Sequence, residues 1–186
     1  MNGPWSKEDV MMDMMNTEQC PGIDMLRHGM LVHERYRDLL RYLLGRPTKY
    51  RWMLPEWFKN AAKMIPFQQD FKTMRTYQIF HDCGKPYARQ VGEDGKVRYP
   101  DHANISHNVA RRIHLPDVVC QLIQLDMVCH GSTEEFNKHI DNPLLPSLLL
   151  TAVAEIYANS ELFGGCDDER FKIKHKKILS RIKQLI

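Results

Sequence analysis

The run Phe80-His81-Asp82-Cys83-Gly84-Lys85-Pro86 sets an imidazole beside a carboxylate, with an ammonium close behind. Adjacent imidazole and carboxylate donors are a compact way to hold a divalent metal, since imidazole suits borderline transition metals and carboxylate suits Mg, Mn or Ca. Both reach one ion only where the backbone turns between them, and Gly84 is the residue expected to allow that turn. Lys85 would then stand beside whatever anion the metal binds, as phosphoryl chemistry requires. The same dipeptide also fits a surface pair that ends an apolar helix, so the surrounding elements decide.

Those elements read as mostly helical. Met25, Leu26, Met30, Leu31, Leu39, Leu40, Leu43 and Leu44 keep one face buried, His28 falls in the first turns, and Gly45 and Pro47 end the segment. Residues 71–80 form the helix that delivers His81 and Asp82. Within 89–99, Val91-Gly92-Glu93-Asp94-Gly95-Lys96-Val97 puts a Gly-flanked acidic turn between valines, which predicts a small hairpin and is the only convincing strand signal in the sequence. Asp101 reads as the N-cap of a helix that carries His102 and His107. Pro116 opens another, running through Leu122, Ile123, Val128 and His130, so that Asp126 and His130 share one face. The helix after Pro146 is almost apolar all round, and Glu155 in its middle needs a cation to be buried there.

Two stretches leave alternatives open. Lys49 to Phe58 mixes Trp52 and Trp57 with basic residues between prolines, which suits either a platform for stacking a base or a lid on the core. The last segment, 168–186, lines Phe171, Ile178, Leu179, Ile182, Leu185 and Ile186 along one stripe and puts Lys and Arg elsewhere. Such a helix docks on its own domain with a solvated basic face, or touches RNA or a membrane.

Composition frames these elements. With 186 residues, 43% of them hydrophobic, the chain suits one domain over 1–186 with its core at about 23–165. No apolar run approaches the ~20 residues of a membrane span, and the first residues lack a signal peptide's pattern, which predicts a soluble cytoplasmic protein with no membrane partner. Five scattered cysteines without CxxC spacing argue for reduced thiols rather than disulfides or structural zinc, with Cys83 and Cys129 as small buried apolar residues. A net charge of +3 admits anionic substrates without requiring nucleic acid.

The order of these motifs resembles the HD-domain metal-dependent phosphohydrolases. A helical histidine in Met25-Leu26-Arg27-His28-Gly29-Met30-Leu31-Val32 precedes His81-Asp82 with Gly84-Lys85-Pro86, and Asp101-His102 follows a short hairpin. The likeness is nearest to the HD domain attached to bacterial tRNA nucleotidyltransferases and covers about residues 23 to 165, without a nucleotidyltransferase head. It implies an all-α HD bundle around a metal pocket. It also implies that His28, His81 and Asp82 hold metal, that Asp82 bridges ions or orients water, and that His102 serves a second ion. Where the family often has a histidine this chain has Asp126, with His130 at the place of a further one; either or both are expected at a second metal or a substrate phosphate. Glu155 takes the place of the family's last aspartate ligand. His33, five residues on from His28, is the competing candidate for the first histidine and is expected to face solvent or a neighbouring helix, while His107, His114 and His139 match no family position and are expected at the surface or behind the ligands.

On this resemblance the cofactor is one or two divalent ions per chain, with Mn, Co, Ni or Fe favoured and Mg admitted. The expected reaction is hydrolysis of a phosphomonoester, as in a 5′-nucleotidase acting on (deoxy)nucleoside monophosphates, with Lys85 and Arg89 stabilising charge on the phosphate. Two alternatives stand beside it. One is a 2′,3′-cyclic phosphodiesterase or phosphatase acting on RNA ends or cyclic nucleotides. The other is a catalytically inactive HD module that binds a nucleotide or a protein.

Overall fold

Ser6 starts the first helix, α1 (Lys7–Met15), with a capping box: its hydroxyl accepts from the Asp9 N–H at 3.0 Å while the Asp9 carboxylate accepts from the Ser6 N–H at 3.0 Å. The computed structural model describes residues 5–160 and 164–186, and over them the chain is all-α apart from two short antiparallel strand pairs. The elements pack as two compact units, Met1–Met30 with Phe71–Asp126 and Leu31–Asp70 with Met127–Ile186. Among the described residues, no helix is long and apolar enough to cross a membrane.

The first unit holds α1, the strand pair β1 (Glu18–Cys20) and β2 (Ile23–Asp24), and the opening turns of α2 (Met25–Leu43). It continues with α3 (Phe71–Phe80), the single turn α4 (Lys85–Ala88), the hairpin β3 (Gln90–Val91) and β4 (Val97–Arg98), α5 (His102–Arg112) and α6 (Asp117–Gln124). The expected hairpin is present, with Val91 opposite Val97, but it is not the only strand pairing, because β1 and β2 form a second one. Asp101 is not a side-chain cap. It sits in the left-handed region at φ 54°, and its carboxylate accepts from the Asn104 amide instead. The α6 helix also stops sooner than its apolar run suggests: Leu125 is its C-cap, and a short 3-10 turn, Asp126–Cys129, follows. Asp126 and His130 therefore do not share an α-helical face.

The second unit contains the rest of α2, a long 3-10 helix (Glu56–Phe67), α7 (Thr133–Asn137), α8 (Leu145–Ala158) and α9 (Glu169–Ile182). The buried stripe of α2 runs Met25, His28, Val32, Tyr36, Leu39 and Leu43, the three-to-four spacing of one helical face. Met30 and Leu44, expected on that stripe, are exposed at 48% and 51%, because each falls outside this spacing. His33 is buried rather than turned to solvent.

The segment around Trp52 packs as a lid. Buried Asp38 accepts from the Lys49 N–H at 2.7 Å, the Tyr50 N–H at 3.1 Å and the Trp52 indole N–H at 3.0 Å, and the Trp52 ring lies 4.6 Å from that of Tyr157. The basic face of α9 is not wholly solvated either. Arg181 is buried and donates to the carbonyls of Val128, Cys129, Gly131 and Ser132, closing the end of the 3-10 turn.

Candidate metal centre

His81 and Asp82 follow α3 in a tight turn in which the Cys83 N–H donates to Phe80 O and the Lys85 N–H to Asp82 O, both at 3.0 Å. That turn is pinned to α5. The Gly84 N–H donates to the buried Ser106 hydroxyl at 2.8 Å, and the Cys83 thiol to the Ser106 carbonyl at 3.4 Å. Gly84 is required here for a different reason from the one its position suggests. Its φ of −86° suits any residue, but a Cβ would stand 2.3 Å from the Ser106 nitrogen. The close contact brings the N-terminus of α5, and with it His102, against Asp82.

Gly29 plays the same part on the other side. A Cβ there would lie 2.4 Å from the Ile79 carbonyl oxygen, so α2 and α3 approach backbone to backbone and the His28 and His81 rings come to 5.3 Å between centroids. The ligand nitrogens of those two histidines lie within 4.8 Å of each other.

Asp82 is the hub of the first unit. Its Oδ2 is 3.2 Å from His81 Nε2 and 3.8 Å from His28 Nε2, while its Oδ1 is 3.7 Å from His102 Nε2. His28, His81 and Asp82 are buried, and the His102 side chain keeps 21% of its exposure, which puts the open side of the cluster there. His81 Nδ1 meets the Gln78 carbonyl at 2.8 Å and His102 Nδ1 the Tyr99 carbonyl at 3.1 Å. A carbonyl only accepts, so both Nδ1 atoms donate and each Nε2 is the atom turned to the carboxylate. A backbone carbonyl that fixes the tautomer in this way is the usual support of a metal-binding imidazole. His81 and His102 so held turn their Nε2 atoms toward the Asp82 carboxylate, and with His28 they form a donor set that fits a divalent cation.

Lys85 completes the group, its ammonium 2.6 Å from Asp82 Oδ2 and 3.1 Å from Gln19 Oε1. Burial by itself would raise the Asp82 carboxyl; the Lys85 ammonium beside it, the foremost opposing cause, holds the group well below the usual carboxylate range. Cys83 goes the other way, its thiol pushed up by burial and by the Asp82 charge, so it stays a protonated apolar side chain.

The structure thus brings together His28, His81, Asp82, Lys85 and His102. Asp126 is buried in the same unit with its Oδ1 2.5 Å from the Tyr77 hydroxyl. Arg89, expected at the phosphate, is exposed at the C-cap of α4, where the chain turns to an extended conformation. In the second unit His130 Nε2 lies 3.4 Å from the Glu155 carboxylate. His107 is tied by Nδ1 to Cys120 O at 2.9 Å, His139 pairs with Glu135 at 3.5 Å, and His114 occupies a left-handed position at φ 56°.

Sequence reasoning missed Gly29, Ser106, Gln19 and Tyr99. Pro21-Gly22 is a turn signal that marks the β1–β2 pair carrying Gln19; the other three have no local signature. No family model, no curated protein and no solved structure matches the chain.

Proposed function

We propose that this chain is a divalent-metal-dependent phosphohydrolase of the HD type that releases phosphate from (deoxy)nucleoside monophosphates. The observation that carries this reading is the convergence of three imidazole Nε2 atoms on Asp82, at 3.2, 3.7 and 3.8 Å, with the Lys85 ammonium beside them. His28 and His81 face one carboxylate oxygen and His102 the other, so these three imidazoles and Asp82 would be the residues that hold a divalent ion. A divalent cation bound there supplies Lewis acidity toward a phosphoryl oxygen and acidifies water for attack.

The protein's own groups do the rest. Asp82 would stand among the ligand histidines, and its Lys85 partner carries positive charge to the part-exposed side where the phosphate arrives. The carbonyls of Gln78 and Tyr99 lock the imidazoles so that no reorientation is needed when substrate binds. A mononucleotide is favoured over an RNA end because the aromatic segment around Trp52, the candidate platform for stacking, is committed to Asp38 and Tyr157.

Purified protein is expected to hold Mn, Co, Ni or Fe by elemental analysis and to release phosphate from nucleoside monophosphates in the presence of that metal, with activity lost in Asp82→Ala. Undiminished activity in Asp82→Ala would refute the site. A protein that takes up no metal and hydrolyses none of a panel of mono-, di-, tri- and cyclic nucleotides is a binding module instead, and turnover that collapses with added salt on RNA substrates alone would point to RNA ends.

A further inference from the structure

Lys85 is held from three directions, and two of the groups that hold it lie outside every motif described for the metal centre. Its ammonium donates to Asp82 Oδ2 at 2.6 Å and to Gln19 Oε1 at 3.1 Å, and it stands over the Tyr99 ring at 5.6 Å. A lysine reaches its target on a flexible four-carbon stem and is a point charge, so one partner fixes its distance but not its direction. Three partners fix a position.

The segment that supplies Gln19 is built to aim it. The β1–β2 pair aligns Glu18 with Asp24 and Cys20 with Ile23, so Gln19 is the extra residue of a bulge. Bulges turn a side chain out of the strand's alternation and are frequent beside active sites. The surrounding bonds keep this one in place: the Gly22 N–H donates to the Glu18 carboxylate at 3.1 Å across the turn, the Met25 N–H to Thr17 O at 2.9 Å, and the Tyr99 hydroxyl to Glu18 O at 3.1 Å. Tyr99 thereby ties three things at once. Its hydroxyl holds β1, its ring faces Lys85, and its carbonyl fixes His102 at 3.1 Å.

We propose that Gln19, presented by the β1 bulge, and Tyr99 are positioning residues that hold the Lys85 ammonium at the open side of the metal centre, where it receives a substrate phosphoryl oxygen. The role of the phosphate rests on the phosphohydrolase reading; the holding of Lys85 does not. With only Asp82 as partner the ammonium would settle onto the carboxylate and be lost to an incoming anion. Gln19 accepts from it without adding a second negative charge beside Asp82, as a glutamate at the same place would.

The test pairs Gln19→Leu with Lys85→Ala in a double-mutant cycle, read by calorimetric binding of inorganic phosphate to Mn-loaded protein and by the crystal structure of each variant. Gln19→Leu is expected to weaken phosphate about tenfold, the scale of one charge-assisted hydrogen bond, and to cost nothing further once Lys85 is alanine. With nucleotide substrates the same change raises KM about tenfold with kcat within about twofold. In crystals of Gln19→Leu the Lys85 ammonium moves or loses its single position, and in Tyr99→Leu it does the same. A Lys85 side chain left in place in both variants overturns the proposal, and so does a Gln19→Leu penalty that is as large without Lys85 as with it. If Mn-loaded wild type binds no phosphate, the phosphohydrolase reading fails, and the crystal structures alone decide whether Gln19 and Tyr99 position Lys85.

Discussion

Replacing Gly29 by alanine tests how the centre is assembled, because two opposing effects set the sign. In a helix interior alanine is worth up to about 1 kcal/mol over glycine, so with open space around it the variant would be more stable than the parent. Here the added Cβ meets the Ile79 carbonyl oxygen at 2.4 Å, the Ile79 Cα at 2.8 Å and the Gln78 oxygen at 2.9 Å. All three are backbone atoms, so no side chain can swing aside; α2 and α3 must separate by about 1 Å to restore ordinary contact near 3.4 Å. Overpacking of that kind typically costs about 1–3 kcal/mol, and backbone against backbone belongs at the upper end, leaving a net loss of about 1–2 kcal/mol. For a chain of this size that lowers Tm by roughly 2–8 °C. The metal is hit harder. His28 moves with Gly29 while His81 and Gln78 stay on the α3 side, and metal–ligand distances tolerate only about 0.2 Å, so Mn affinity is expected to fall at least tenfold. Calorimetry with Mn and a thermal melt read both effects. Gly131→Ala is the control, since its Cβ would find nothing nearer than 3.6 Å and should change neither. A Gly29→Ala protein that melts at or above the parent and binds Mn equally well would refute the close approach as the device that sets His28 against His81.

Asp82→Asn keeps the side chain's shape and removes its charge, so Mn binding and metal-dependent phosphate release are both expected to disappear while the fold persists by circular dichroism. Glu155→Gln tests the ligand role that the resemblance implies for this residue: a loss of metal comparable to that of Asp82→Asn supports a ligand, and undiminished affinity leaves Glu155 outside the metal set. Arg181→Leu strands the buried carbonyls of Val128 and Cys129 and is expected to cost about 2–4 kcal/mol in urea unfolding, against under 1 kcal/mol for an exposed lysine of α9 such as Lys176. His175 gives a pH prediction. It accepts from the Tyr157 hydroxyl at 3.2 Å and stacks on Phe171, and burial holds its pKa below the ordinary 6.5. The unfolded chain therefore binds the proton first, so this contribution to stability is complete above the unfolded pKa and is lost as pH falls through the folded one. His175→Gln should flatten the acid side of a plot of stability against pH in that window, and an unchanged slope would show that the imidazole is not held neutral.

How much of the fold can be read in advance follows from where its information lies. The α2 and α3 helices are legible because each repeats its apolar residues at three-to-four spacing between clear ends. The β3–β4 hairpin is legible because its turn residues sit between valines. By contrast, β1 and β2 have three and two residues, too few for alternation to register, and only the Pro21-Gly22 turn betrays them. The end of α6 is hidden for the opposite reason. Apolar residues continue from Leu122 through Val128 with no glycine or proline before Gly131, so the change at Leu125 from α-helix to a 3-10 turn leaves no local trace. The exposure of Met30 and Leu44 shows a further limit, since apolar identity alone does not place a residue on the stripe that tertiary contact selects.

The donor types of the centre were local information, and their assembly was not. His28, His81, Asp82, Lys85 and His102 announce themselves by type and order, yet what makes them one site is a pair of backbone contacts between segments distant in the chain. Gly84 shows the difference most sharply. Beside His81-Asp82 its obvious use is to let the chain turn, but its backbone angles are ordinary, and the space for a Cβ is taken by Ser106, 22 residues later in the sequence. If turning were its task, Gly84→Ala would be mild, since alanine accepts φ −86° without strain. Because the task is contact, the same substitution must push α5 off the turn and carry His102 away from Asp82. A Gly84→Ala variant is thus expected to lose metal affinity while remaining helical, and a double variant with Ser106→Gly, which removes only the serine side chain, should not restore it, because the nearest atoms are the backbone nitrogen and Cα of that residue.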